Sequence, residues 1–429
     1  MKVAVIGAGA AGLVSARELI RCGHEAIVFE QSGQVGGVWV YQSETEDDLL
    51  GQSPSRPVFS SLYDSLRTNL PRDLMAFQDY TFDSKGGGDD HWQRYPHHSK
   101  VLVYLERFAN DFGILPFIRF HEKVTGLAPA GNGWSLLTQM NQGALNSSLF
   151  DAVMVCNGHY SRPRIPDIPG IGGFDGLTMH SHNYRNPKNF EGKRVVVLGT
   201  ASSGVDIARE VSEVAKTVYW CGDSFSFPHK ITSRGIHLFP GPLRFSGNDL
   251  EFPDGVMVTD IDIFVFCTGY EYQFPFLPTG TVTISDNWVH PLYLDMVSPE
   301  FHTLAFIGLP YLVIPFPLFD MQARWFSKVL TGDVVLPSRT EMNRMIRERE
   351  AELVKLNTKP RHYHKLGDKQ TAYIDHLARQ CGEPATPDWF GRLALEAQQS
   401  RLADPEHFRD KPMEFHGPTV VSYLSVEQA

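Results

Sequence analysis

The chain has 429 residues, with 49 acidic against 39 basic side chains and a net charge of −10. That length allows two or three domains with a large core, and an acidic chain without basic stretches interleaved with aromatics speaks against nucleic acid as a partner. No apolar stretch reaches the ~18 uninterrupted residues of a membrane span. The nearest, 304–319, is broken by Gly308, Pro310, Pro315 and Pro317, so neither a membrane anchor nor a signal peptide is expected.

The first element is an apolar run at 3–6, which reads as a strand buried on both faces. It leads into Gly7-Ala-Gly9-Ala10-Ala11-Gly12, and 12–22 has helical apolar spacing. A second apolar run at 26–29 ends at Glu30, with Gln31 beside it. Strand, glycine turn, helix, strand and an acid roughly 20 residues on form a dinucleotide-binding fingerprint. The glycines let backbone N–H groups approach a pyrophosphate, the helix N-terminus faces the phosphates, and the acid accepts ribose hydroxyls.

Gly36-Gly37-Val38-Trp39 follows, then an acidic loop at 43–55 and the segment Leu66-Arg-Thr68-Asn69-Leu70-Pro71. An amphipathic helix is predicted at 99–112, strands at 118–124 and 134–138 joined by a turn at Gly131-Asn-Gly133, and a buried strand at 150–156. Pro163, Pro166 and Pro169 mark a stiff connector.

A second fingerprint begins at 194 with Arg-Val-Val-Val-Leu-Gly199-Thr-Ala201-Ser202-Ser203-Gly204. Its strand is predicted at 195–198, its helix at 203–214 and its next strand at 217–221. Ala201 replaces the middle glycine, so the backbone approaches a pyrophosphate less closely. Gly222 and Asp223 stand where a 2′-phosphate site wants an arginine. A buried strand at 262–266 runs into Gly269, another strand is expected at 304–307, a helix at 319–330, and the charged tail from 341 reads as helical.

Two fingerprints imply two nucleotides. The fold expected is α/β, with two Rossmann-like dinucleotide-binding domains: 1–162 and 273–429 form the domain of the first fingerprint, and 163–272 form the domain of the second, inserted into it. The five cysteines, at 22, 156, 221, 267 and 381, are scattered singly. They read as reduced thiols of a cytoplasmic protein and exclude the cysteine pair of a disulfide reductase. His180, His182, His362 and His364 lack partners at metal-ligand spacing, so no metal is expected.

Several motifs together carry a family resemblance. Phe174-Asp-Gly176-Leu-Thr-Met-His180-Ser-His-Asn-Tyr184 matches the signature Phe-x-Gly-x-x-x-His-x-x-x-(Tyr/Phe) at each fixed position. Asn157-Gly158-His159-Tyr160 and Phe266-Cys-Thr268-Gly269-Tyr270 resemble the segments that hinge the two domains. The chain resembles a flavin-containing monooxygenase over essentially its whole length. The stretches 66–71 and 306–325 are most similar to the plant branch of glucosinolate and S-alkenylcysteine S-oxygenases. Baeyer–Villiger monooxygenases have a similar signature, with Trp at the position of Tyr184.

The resemblance implies FAD along Gly7, Gly9, Ala10, Ala11 and Gly12, with Glu30 and Gln31 at the ribose. It puts Gly37, Val38 and Trp39 beside the flavin, Thr68 and Asn69 at the reacting end, Val124 near the adenine and Gln322 near the ring. It implies NADPH on Gly199, Ala201, Ser202, Ser203 and Gly204, with O2 and a small-molecule substrate as the other partners and a homodimer as the assembly. By that resemblance NADPH would reduce the flavin, which would form a hydroperoxide with O2 and oxygenate a soft nucleophile. A thioether sulfur comes first, an amine nitrogen second, and a reductase or oxidase without oxygen insertion is the reading from another class. Asn69 matches the family's catalytic asparagine, since an amide donates and accepts without adding charge. His180 is expected to dock the domains, and Tyr184 and Trp325 to be core aromatics. Arg67 is expected either in an ion pair or at an anionic group. Asp223 opposes a 2′-phosphate unless Lys230 or Arg234 compensates, so tolerance for NADH is expected beside NADPH.

Overall fold

The computed structural model describes residues 1–140, 143–222, 235–242 and 244–411. Two five-stranded parallel sheets organise the chain. In the first, Lys2–Ile6 lies centrally between Glu25–Phe29 and Ala152–Val155, with Ile118–Arg119 and Leu304–Phe306 outermost. In the second, Arg194–Leu198 lies between Thr217–Cys221 and Ile263–Phe266, with Ile236–Phe239 and Leu177–His180 outermost. All central strands are apolar on both faces because helices or loops cover each side.

Leu304–Phe306 pairs in parallel with Ala152–Val155, so the chain returns to the first sheet after building the second. The outgoing and returning segments are bonded to each other. Arg164 N–H donates to Gly269 C=O at 2.9 Å, and Glu271 N–H to Arg162 C=O at 2.8 Å. The second unit therefore hangs from the first on a two-stranded ribbon.

The return helix, Pro315–Thr331, packs against the first fingerprint helix, Ala10–Arg21. Arg17, almost fully buried, joins them through Asp320 at 2.8 Å and also meets Glu18 and Asp79. Breaking such a buried network by removing one partner leaves an unpaired charge in the core. Helices Arg339–Lys355, Gln370–Cys381 and Asp388–Ala403 follow the return helix. Among the described residues no helix is long and apolar enough to cross a membrane.

Three expected elements differ by more than one or two end residues. The predicted strand 118–124 is two: Ile118–Arg119 in the parallel sheet and Glu122–Ala130 in a three-stranded antiparallel sheet, separated by His121 at φ 57°. The run 150–156 likewise splits. Leu145–Phe150 forms the edge of the antiparallel sheet, and Ala152–Val155 enters the core. Asp151 marks the change of sheet, accepting from Lys2 N–H through its carboxylate and donating its own N–H to Lys2 C=O. The helix expected at 319–330 begins at Pro315, because proline is tolerated at the first helical position.

Candidate active site

The first fingerprint is held open by glycines in three different ways. Gly7 turns at φ +104°, donates to Phe29 C=O at 2.8 Å, and a Cβ there would sit 2.6 Å from Cys156 C=O. Gly12 lets the helix lie on the strand; its Cβ would fall 1.8 Å from Gly7 C=O. Gly9 is different. Its φ is an ordinary −76°, and a Cβ would meet only Gly37, at 3.5 Å or more. The protein itself does not need glycine at 9. The space faces a cleft, and the helix behind it starts without a side-chain cap, leaving its first N–H groups for an anion.

The cleft has a volume of about 390 Å3, within the size range of cofactor sites. Gly7, Gly9, Ala10, Ala11, Glu30, Gln31, Gly37, Val38, Trp39 and Val124 all line it. Glu30 is buried. One carboxylate oxygen accepts from Ala8 N–H at 2.8 Å and the other from Ser32 N–H at 2.8 Å. Each oxygen keeps a lone pair for a further donor such as a ribose hydroxyl. Val124 comes from the antiparallel sheet and shares that wall with Glu122 and Lys123. These residues fit a dinucleotide such as FAD: amides at the phosphate position, a carboxylate for the ribose and an apolar wall.

Sequence reasoning missed part of the lining. Ile307, Gly308, Phe316 and Phe319 reach the cleft from the returning chain, and Phe59 and Ser60 from the loop after the acidic segment. Phe316 packs edge-on to Trp39 and stacks on Phe77 at 5.1 Å. Only the Gly308 segment carried a local signal; the aromatic wall depends on how the return helix packs. His159, in the first hinge segment, also lines the cleft. Burial, and then nearby His364, lower it to about 4, so it is a neutral imidazole at physiological pH.

Gln322 does not line the cleft, contrary to its expected place near the ring. It is fully buried; its oxygen accepts from Gly308 N–H at 2.9 Å and its nitrogen donates to Tyr373 Oη at 2.8 Å. It supports the cleft wall through Gly308, whose N–H it holds from the side away from the cleft. Gly12 also sits behind the wall, as a packing glycine.

The second fingerprint repeats the first almost atom for atom. Gly199 turns at φ +126°, donates to Cys221 C=O at 2.8 Å, and a Cβ there would lie 2.2 Å from Cys267 C=O. A Cβ on Gly204 would fall 1.9 Å from Gly199 C=O. Ala201 has φ −83° and ψ −173°, matching Gly9 at −76° and −174°, and its helix also starts uncapped. Its methyl group occupies the space that Gly9 leaves free. Ser202 and Ser203 open the helix. Asp223, Lys230 and Arg234 lie outside the described residues.

Thr68 and Asn69 stand apart from the cleft's lining, at the junction of the two units. Thr68 is buried; its N–H donates to Pro96 C=O and its hydroxyl to Leu70 C=O, which fixes the loop. Asn69 Nδ2 donates to Ser202 Oγ at 2.9 Å. A loop of the first unit thus touches the first turn of the second fingerprint helix.

The signature stretch docks the units. His180 is fully buried, its N–H donates to Leu49 C=O at 2.9 Å, and its Nδ1 accepts from His182 N–H. Burial, then the neighbouring His182, push it down to about 3. Asn183 exchanges hydrogen bonds with buried Glu46, and His182 Nε2 donates to Val58 C=O. Part of the acidic loop is therefore an interface. Tyr184 donates to Glu210 and Trp325 to Gln380, both from the core. Arg67 pairs with Asp410 at 2.6 Å. The five cysteines are free, and burial pushes Cys156 and Cys267 up to about 12, which leaves them inert.

A model of the flavin-binding monooxygenase-like family matches residues 1–227 and 225–399. The chain is 41% identical over 431 residues to flavin-containing monooxygenase FMO GS-OX-like 4 of Arabidopsis thaliana, covering 96% of this chain and 94% of that one. The S-allyl-L-cysteine S-oxygenase of Allium sativum superposes with a TM-score of 0.93 at 38% identity, covering 100% of this chain and 98% of its own. Tmm from Pelagibacter sp. strain HTCC7211 gives 0.84 at 27% identity, over 96% and 94%.

Proposed function

The chain belongs to the flavin-binding monooxygenase-like family, and on that premise we propose that it uses FAD, NADPH and O2 to convert a thioether metabolite to its sulfoxide. One oxygen atom goes to sulfur and the other leaves as water, with the two electrons supplied by NADPH. The observation that carries this reading is the meeting of Asn69, from the flavin unit, with Ser202 at the start of the second fingerprint helix. It sets a loop of the flavin unit against the start of the second fingerprint helix, which supports two units that work together.

FAD, when bound, accepts hydride and activates oxygen. The chain's part is to bind, orient and exclude water. The Gly7–Gly9 turn and the uncapped helix end take the pyrophosphate, and Glu30 takes a ribose. Trp39, Ile307, Phe316 and Phe319 give an apolar wall that keeps water from the reacting end. Asn69, at the junction of the two units, offers a neutral amide. Gly199, Ala201, Ser202, Ser203 and Gly204 receive NADPH, held less closely because of the Ala201 methyl. We assign 1–162 and 273–429 to the flavin domain and 163–272 to the nicotinamide domain. Five unpaired cysteines suit the cytoplasm. From Asp223 in the sequence we expect NADH to be used as well; a kcat/KM for NADH orders of magnitude below that for NADPH refutes this.

Sulfur is preferred over nitrogen because the relatives named above include an S-oxygenase at 38% identity. The test is turnover of the FAD-loaded enzyme with NADPH, a thioether amino acid and, separately, a tertiary amine. Sulfoxide formed one-to-one with NADPH consumed supports the proposal. Amine oxide without sulfoxide makes it an N-oxygenase, and hydrogen peroxide in place of both makes it an oxidase.

A further inference from the structure

We propose that Arg409 is a positioning residue for the reaction: its guanidinium sets the distance between the Asn69 loop and the second fingerprint helix. The inference rests on the role given to Asn69 above.

Arg409 is nearly buried and uses its whole fork. The two terminal nitrogens donate to Asp206 Oδ1 and Oδ2 at 3.0 and 2.8 Å, and Nε donates to Thr68 C=O at 3.0 Å. Thr68 precedes Asn69. Asp206 lies one helical turn beyond Ser202, the residue that Asn69 touches. Two crossings therefore join the same loop to the same helix, one through Asn69 and Ser202, the other through Thr68, Arg409 and Asp206.

They are unequal. Asn69–Ser202 is a single neutral hydrogen bond at the surface, too weak to hold a loop by itself. The Arg409 crossing is bidentate, charge-assisted and shielded from water. Asp206 is further braced by Tyr63 Oη at 2.6 Å.

The arm that delivers Arg409 is itself anchored. Phe408 is buried edge-on against Tyr95, Arg209 donates to Glu406 C=O at 2.8 Å, and Arg67 donates to Arg409 C=O at 3.1 Å. Arginine suits the post because only a planar fork reaches a carboxylate and a carbonyl at once; a lysine ammonium keeps the charge and loses the geometry. Nothing in this arrangement touches the cleft, so Arg409 acts through Asn69 and not on the flavin.

The test compares FAD-loaded wild type with Arg409→Ala, Arg409→Lys, Asn69→Ala and the double variant Asn69→Ala/Arg409→Ala. The readouts are FAD content, hydrogen exchange of the amides at 66–70, and the fraction of consumed NADPH recovered as hydrogen peroxide with a thioether present. Arg409→Ala is expected to keep its FAD, to exchange those amides at least tenfold faster and to raise the peroxide fraction severalfold. Arg409→Lys should fall between it and wild type, and serves as the folded variant if the alanine is not recovered. The double variant should lose no more coupling than Asn69→Ala alone. Arginine variants that stay coupled while Asn69→Ala is uncoupled overturn the positioning role and leave Asn69 standing. Losses that multiply in the double variant also overturn it. An Asn69→Ala enzyme as coupled as wild type removes the Asn69 reading and this inference with it.

Discussion

Replacing Gly9 and Gly12 by alanine separates what the fold needs from what the cofactor needs. At 12, the added Cβ sits 1.8 Å from the Gly7 carbonyl, against 3.4–4 Å for ordinary contact. Both atoms belong to backbone, so relief requires moving the helix off its strand. A cost above about 4 kcal/mol is expected, which lowers apoprotein melting by about 5 °C or more, or prevents its recovery. At 9, the methyl meets only Gly37 at an ordinary distance and φ is already −76°. The second copy carries this methyl at Ala201 with the same backbone. Gly9→Ala should therefore leave apoprotein melting within a degree or two, the effect of about 0.5 kcal/mol. Its cost falls on FAD. Pushing the pyrophosphate off one backbone donor loses about 1.5–3 kcal/mol, roughly ten- to hundredfold in Kd. Thermal melting of the apoproteins and FAD titration by flavin fluorescence read the two effects separately. An apo Gly9→Ala as unstable as Gly12→Ala, or one binding FAD as tightly as wild type, refutes the assignment of Gly9's space to the cofactor.

Acid should loosen the protein through His180 and His98. Burial, with a second histidine next to each, puts them at about 3 and about 4. Because their folded values lie below the unfolded one, their contribution is complete above about pH 6.5 and is lost as pH falls toward those values, by about 2 kcal/mol each at pH 5. Urea midpoints at pH 7 and 5 should differ, and His180→Gln should shrink the difference; an unchanged difference counts against it. Gln322→Leu strands the Gly308 N–H in the core at about 1–3 kcal/mol and should speed FAD release; a variant as stable as wild type, with normal FAD release, shows that Gly308 needs no such support. Glu30→Gln turns one amide-facing oxygen into a donor and should weaken FAD without abolishing folding. Equal FAD affinity by titration removes Glu30 from the site.

The fingerprints were legible in the sequence because each is a local strand–turn–helix, and ten residues assigned to the flavin site from motif and resemblance line one cleft. The strands expected at 118–124 and 150–156 are too long because each stretch is extended chain that passes from one sheet to another. His121 and Asp151 make the changes, and neither stands out in a linear reading. Gln322 lies one residue behind the cleft's lining, bonded to Gly308. A motif gives a residue's neighbourhood, whereas the packing of side chains decides which of them reaches the cleft. Arg409 was invisible: 341 residues separate it from Thr68, and no local pattern marks an arginine whose partners are a distant carbonyl and a carboxylate.

The ribbon at 162–164 and 269–271 makes the host sheet indifferent to its guest. Chain leaves and re-enters at hydrogen-bonded neighbours, and Leu304–Phe306 then takes its place beside Ala152–Val155 as though nothing intervened. Among the described residues, all strand pairings of the host are made by host residues. The ribbon is consequently a graft point: a nucleotide unit of other specificity can be exchanged there without re-registering the host. What such a graft must reproduce is the far side, where His182 and Asn183 meet the acidic loop and Asp206 meets Arg409.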